Sequence, residues 1–134
     1  MAETFKLEIV TPERMVVSTE AEDVLIPGKG GYLDVLPGHA PLLTEIDIGE
    51  IAYRVGGELK RLSVAWGFAE VLPDKVTILA ETAEKAEEID VPRAETAKQK
   101  AEGELQKAGL EGNADAQAAL KRANTRLDVA GSPK

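Results

Sequence analysis

The chain has 134 residues, with 24 acidic and 16 basic side chains and a net charge of −8. That length holds one main domain and a small appendage, and the acidic balance argues against a nucleic-acid partner, which needs clustered Lys and Arg. With no cysteine and one histidine, His39, disulfide scaffolds, thiolate metal centres and Cys nucleophiles are excluded and His-based triads are disfavoured.

The first part of the chain reads as short strands. Phe5, Leu7 and Ile9 alternate with Lys6, Glu8 and Val10, the pattern of a half-buried strand. Thr11-Pro12-Glu13 makes a turn, and Met15-Val16-Val17 begins the next strand. Val24 and Ile26 alternate before Pro27-Gly28-Lys29-Gly30-Gly31 punctuates the chain. That glycine run lacks the Gly-Lys-Ser/Thr ending of a phosphate loop and no helix follows it, so a strand connection is expected. Tyr32 to Leu36 is extended, and Pro37-Gly38-His39-Ala40-Pro41 forms a stiff loop. Two readings fit this loop: a structural turn with a hydrogen-bonded histidine, or a rigid contact surface for a partner. Ile51, Tyr53 and Val55 alternate up to a Gly56-Gly57 hairpin turn, and Leu62, Val64 and Trp66 continue beyond it. Phe68 to Leu72, Pro73-Asp74, then Val76 to Leu79 make one more hairpin. Many short strands with closely spaced turns indicate a β-sandwich or flattened barrel ending near residue 82.

The period then changes. Glu81, Glu84, Glu87, Glu88 and Asp90 form an acidic run that reads as a solvated linker. Ala94, Ala97, Ala101, Leu105 and Ala108 recur at steps of three and four, an amphipathic helix with Asp90 as N-cap and Pro92 in its first turn. Gly109 is a natural stop and Asn113 the next cap. Ala116, Leu120, Ala123 and Leu127 line a second helix, and the short turn implies an antiparallel hairpin. Its apolar bulk is small, with Leu105, Leu110, Leu120 and Leu127 its largest side chains, so it depends on what it docks against. Arg122 and Arg126 share a face, as a solvated cationic stripe or an anion clamp. Charge divides with the pattern: residues 1–88 hold 17 acidic and 8 basic side chains, and residues 89–134 hold 7 and 8. The expected domains are a sandwich over residues 1–86 and a hairpin over 87–134.

Three segments carry a family resemblance. They are Val35-Leu36-Pro37-Gly38-His39-Ala40-Pro41-Leu42-Leu43, Gly67-Phe68-Ala69-Glu70-Val71-Leu72-Pro73-Asp74-Lys75-Val76-Thr77, and Ala119-Leu120-Lys121-Arg122-Ala123. With them, over nearly its whole length, the chain resembles the epsilon subunits of F-type ATP synthases. The resemblance implies an N-terminal ten-stranded β-sandwich and a C-terminal antiparallel two-helix hairpin. It implies a non-catalytic rotor subunit that binds the gamma subunit and the c-ring and couples proton translocation to ATP synthesis. In many bacterial members the hairpin extends along gamma toward the alpha and beta subunits and blocks ATP hydrolysis. The contact loops fall on Gly31, Tyr32, Pro37, His39 and Pro41. One departure is Asp34, where many members carry Gly.

Some bacterial relatives bind ATP on the folded hairpin through an Ile/Leu-Asp-x-x-Arg-Ala motif, which here reads Ile89-Asp90-Val91-Pro92-Arg93-Ala94. By the same resemblance Glu84, Arg122 and Arg126 match other positions of that site, while Lys100 stands where such ATP binders tend to carry Arg. Lysine keeps the charge and loses the planar fork. No cofactor is required on this reading, and ATP enters only as a regulatory ligand; an ATP-sensing small-ligand module is the alternative function. A free-standing sandwich enzyme or carbohydrate binder is a third class, disfavoured because no catalytic pair is apparent and only Tyr53, Trp66 and Phe68 lie near one another. The N-terminus has no basic stretch leading into an apolar one, and no run approaches the roughly 20 apolar residues of a membrane span. The expected location is peripheral, on the cytoplasmic face of a bacterial inner membrane, with membrane contact only through the complex; a chloroplast-encoded subunit is the minor alternative.

Overall fold

The computed structural model describes residues 3–108 and 113–131. Alternation of apolar and polar side chains sets the strands: in β1 (Phe5–Val10), Phe5, Leu7 and Ile9 are all buried while Lys6 is exposed. β2 (Met15–Ala21) returns beside it, and β3 (Asp23–Gly28) and β4 (Gly31–Val35) form a hairpin whose two-residue turn is Lys29-Gly30. The punctuating glycine run is thus part strand and part turn, with Gly28 paired to Gly31. β5 (Leu42–Ile46), β6 (Gly49–Val55), β7 (Glu58–Val71) and β8 (Lys75–Lys85) complete the sandwich. β1 pairs antiparallel with β2 and parallel with β8.

Hydrogen bonding links β3 to β5, β5 to β7, β7 to β6 and β6 back to β3, so these four strands close on themselves. β1 and β2 extend the other side from β8, and β2 packs back onto β6. The core between the layers holds Phe5, Leu7, Ile9, Ile26, Ile51, Leu62 and Ile78, each at most 1% exposed. Fully burying one such side chain contributes about 1.5–3 kcal/mol, so apolar volume holds this region.

The described residues form eight strands where ten were expected, and the acidic run does not begin a linker at residue 82. Both differences have one cause. β7 and β8 are long and change their core-facing side part way. In β7, Leu62 and Val64 face the core, and then Ala69 and Val71; in β8, Val76, Ile78 and Ala80, and then Ala83. Each long strand therefore serves two layers, and counting its halves separately gives ten. The change in β7 falls at Trp66, whose φ is 54°, followed by Gly67 at 148°. A Cβ on Gly67 would lie 1.9 Å from the Leu79 carbonyl oxygen, so only glycine fits. Trp66, expected to continue the Leu62–Val64 series, is turned outward instead and is 39% exposed.

A single 3-10 turn at Ala86–Glu88 follows, then α1 (Val91–Ala108) and α2 (Ala114–Gly131). Glu88 accepts from the Lys85 N–H at 3.0 Å and takes both Arg14 bonds at 2.9 Å, fastening this turn to the β1–β2 connection. The Arg14 bond, with the Lys85 N–H, holds the Glu88 carboxyl below its ordinary pKa. Asp90 caps α1 by accepting from the Arg93 N–H at 3.1 Å, and Asn113 caps α2 through the Ala116 N–H at 2.9 Å. The two helices pack side by side, and α2, not α1, makes the main contact with β6 and β7. Ala94, Ala101, Leu105, Ala116 and Ala123 are buried as expected. Leu120 and Leu127 are only half-buried, and Val129 is fully buried. Gly109 and Leu110 lie outside the described residues, as does the side chain of Ala108.

Candidate functional site: two docking surfaces and a latched hairpin

The five contact-loop residues do not converge. Gly31 and Tyr32 begin β4, while Pro37, His39 and Pro41 lie beyond its far end, roughly 16 Å away along an extended five-residue strand. At the first end the Tyr32 hydroxyl accepts from the Glu50 N–H at 3.1 Å. Gly49 makes this approach feasible, since a Cβ there would fall 2.6 Å from Pro27 and 2.8 Å from the Tyr32 hydroxyl. The Tyr32 ring stays 57% exposed. At the other end the Gly38 N–H donates to the Pro73 carbonyl at 2.8 Å, which ties the loop to the β7–β8 turn. The His39 ring is 2.7 Å from the Ala40 carbonyl through Nδ1, so it is locally bonded, and the apolar groups around it face outward. Leu36 is 57% and Leu43 70% exposed.

A larger apolar surface starts at this loop. Pro41, Leu42, Leu43, Glu70 and Leu72 line a shallow pocket of about 270 Å³ on the outer face of β5 and β7. Next along β7 stands Phe68. Cross-strand register continues the surface in one row, from Phe68 to Leu79, Leu79 to Val10 and Val10 to Met15. Phe68, Leu79 and Met15 are each half exposed. Together with Trp66, Ile46 and Ala80, part of this row walls a groove of about 600 Å³, with Glu45 and Glu81 on its rim. An exposed apolar row rimmed by charge marks an interaction surface. The sequence carries a trace of it: Phe68 and Leu79 are apolar on the strand face opposite the buried Ala69, Val71, Ile78 and Ala80.

Most of the residues matching the nucleotide motif are held in contacts within the chain. Glu84 and Arg126 form an ion pair at 2.5 Å, joining β8 to α2. The Arg122 guanidinium lies over the Trp66 ring, 5.1 Å from its centroid. The Asp90 carboxylate serves as the α1 cap, and Ile89 and Ala94 are buried. The Arg93 and Lys100 side chains lie exposed on α1. Lys121 adds a bond to Asp47 at 3.2 Å, which the sequence did not signal. Asp47 also accepts from the Ile48 N–H at 2.7 Å. That backbone bond chiefly, with Lys121, holds the Asp47 carboxyl below its ordinary pKa. Three cations of α2 thus grip the sandwich at three points.

Comparison with known proteins agrees on the family. The model of the ATP synthase delta/epsilon chain β-sandwich domain matches residues 4–86, and that of the delta/epsilon chain long α-helix domain matches 87–131. The ATP synthase epsilon chain of Syntrophobacter fumaroxidans is 52% identical over 132 residues, covering 97% of this chain and 98% of its own. That of Koribacter versatilis is 65% identical over 111 residues, covering 83% of this chain and 78% of its own. Among solved structures, a chain of the Euglena gracilis mitochondrial ATP synthase aligns with a TM-score of 0.81 at 22% identity, over 95% of this chain and 81% of that one, a likeness of fold. Among the described residues no helix is long and apolar enough to cross a membrane.

Proposed function

The chain belongs to the ATP synthase delta/epsilon chain family, and from that premise we propose a rotor role in which the sandwich docks on the gamma subunit and the c-ring and turns with them. It is an epsilon-type, non-catalytic stalk subunit. In the proposed role it carries coupling between proton flow and ATP synthesis, and its hairpin, residues 87–134 against a sandwich of 1–86, regulates ATP hydrolysis by leaving the sandwich for the alpha and beta subunits. As part of the membrane complex it sits on the cytoplasmic face of a bacterial inner membrane.

The observation that carries this reading is the exposed apolar row Met15–Val10–Leu79–Phe68 with its groove. Glu45 is already paired with Lys29 at 3.0 Å, and Glu81 is the rim carboxylate that suits a gamma-subunit segment presenting an apolar ridge flanked by a Lys or Arg. Pro37, His39 and Pro41, with Leu43 beside them, suit the c-ring as a stiff, apolar contact. Gly31 and Tyr32 form a separate contact at the opposite end of β4. The test is co-purification of the tagged chain with gamma and the c-ring. Wild type retains both, Phe68→Asp releases gamma and Leu43→Asp releases the c-ring, each with an unchanged sandwich unfolding transition. Retention of both subunits by both variants defeats the assignment.

The second reading, ATP as a regulatory ligand on the hairpin, draws on the exposed Arg93 of α1 and the Arg122–Arg126 pair of α2. A triphosphate there has to take Arg126 from Glu84 and Arg122 from Trp66. Titration of the chain with millimolar ATP, followed by amide shifts at Arg93, Arg122 and Arg126, decides it; an unchanged spectrum removes ATP from the account.

A further inference from the structure

We infer that Trp66 links the groove to the hairpin, so that gamma seated in the groove and a hairpin held on the sandwich each strengthen the other; this rests on the gamma-docking reading above. The indole has two neighbours. It walls the groove beside Phe68, and it lies under the Arg122 guanidinium of α2. This double contact arises where β7 changes its core-facing side. Before the change, Ser63 and Ala65 point away from the core and are nonetheless buried, on the side where α2 packs. After it, Phe68 points away from the core and is open to solvent. Trp66 stands on the seam between the covered and the open face.

The backbone there has little freedom. Gly67 is pressed against the Leu79 carbonyl, and Trp66 itself is left-handed, so the side chain leaves the strand from a fixed root. What remains variable is the ring's rotamer. Arg122 restricts it, and the ion pairs Lys121–Asp47 and Arg126–Glu84 fix the helix on either side. A docked hairpin therefore holds the indole as a ready-made groove wall. A partner that binds the finished wall favours the docked hairpin by the same factor.

The experiment is a double-mutant cycle on the full chain, read by calorimetric titration with purified gamma and by amide exchange in α2. Arg122→Met removes the cation from the ring without touching the groove. Trp66→Gly removes the ring, and glycine tolerates the left-handed backbone, so the strand survives. The expected result is a two- to fivefold weaker Kd for Arg122→Met, roughly the range of an exposed cation–ring contact. In the Trp66→Gly background the same substitution changes nothing further, and gamma slows α2 exchange in wild type but not in Trp66→Gly. Equal Kd values for wild type and Arg122→Met overturn the linkage. So does an equal loss in both backgrounds, which assigns Arg122 a contact of its own. Absence of gamma binding by wild type removes the docking reading, and the linkage with it.

Discussion

The sandwich and the hairpin are stabilised by different means. The sandwich buries Phe, Leu, Ile and Val side chains between layers joined by long-range ladders. The hairpin region buries mostly alanine, with Ile89, Leu105 and Val129 as its larger buried side chains among the described residues. Small side chains let helices approach closely but remove little apolar area from water. Three polar contacts add to its seating: Lys121 on Asp47, Arg126 on Glu84 and Arg122 on Trp66. Partly exposed contacts of this kind are each worth about 1 kcal/mol or less. The difference sets an expectation that can be tested: loss of α1 and α2 from the sandwich with the core still folded.

Substitutions can widen or erase this difference. The largest effect is expected in the sandwich. Leu62 is fully buried, and Leu62→Ala costs about 2–5 kcal/mol, seen as an earlier denaturant transition of the strands. Next comes Ala123→Glu, which places a carboxylate at a site with no exposure. It costs the hairpin about 2 kcal/mol or more. Amide exchange then rises through α1 and α2 while the strands keep their protection; a matching loss in both regions refutes independent detachment. Gly103→Ala works the other way, because its Cβ meets nothing within 4 Å. It stabilises α1 by about 0.5–1 kcal/mol, measured as slower hairpin exchange. Smaller still, Glu84→Gln weakens the seating of α2 by about 0.5 kcal/mol, and the difference shrinks as salt rises.

Acid gives the smallest effect. Asp47 and Glu88 both have lowered pKa values in the folded chain. Their stabilisation is complete above the ordinary carboxylate values near 4. It fades as pH falls from there through the folded values. Exchange in α2 measured against pH reports the Asp47 share, and Asp47→Asn flattens that profile.

Much of the strand pattern was legible because alternation is a direct consequence of one buried face, as Phe5, Leu7 and Ile9 show. The caps Asp90 and Asn113 were legible because a short acceptor side chain before an apolar period has one main use there. The change of face in β7 was not. A left-handed tryptophan leaves no mark in composition, and the parity shift from Val64 to Ala69 looks like irregularity until β8 is seen to shift with it. The acidic run misled for a related reason: Glu84 and Glu88 lie beside Arg126 and Arg14 only after folding. The interaction row was hidden because its members come from four strands, and register, which no single segment encodes, aligns them.

The parallel pairing of β1 with β8 also bears on how the chain is made. Lys6 pairs with Lys75 and Leu7 with Val76. A nascent chain leaving the ribosome can form the β1–β2 hairpin early, but one edge of β1 waits for about 70 further residues. The sandwich closes only when β8 has emerged, just before the first helix follows. The helices follow β8 in the chain, and their contacts with Asp47, Trp66 and Glu84 reach back to three different strand-region positions that must already be brought together.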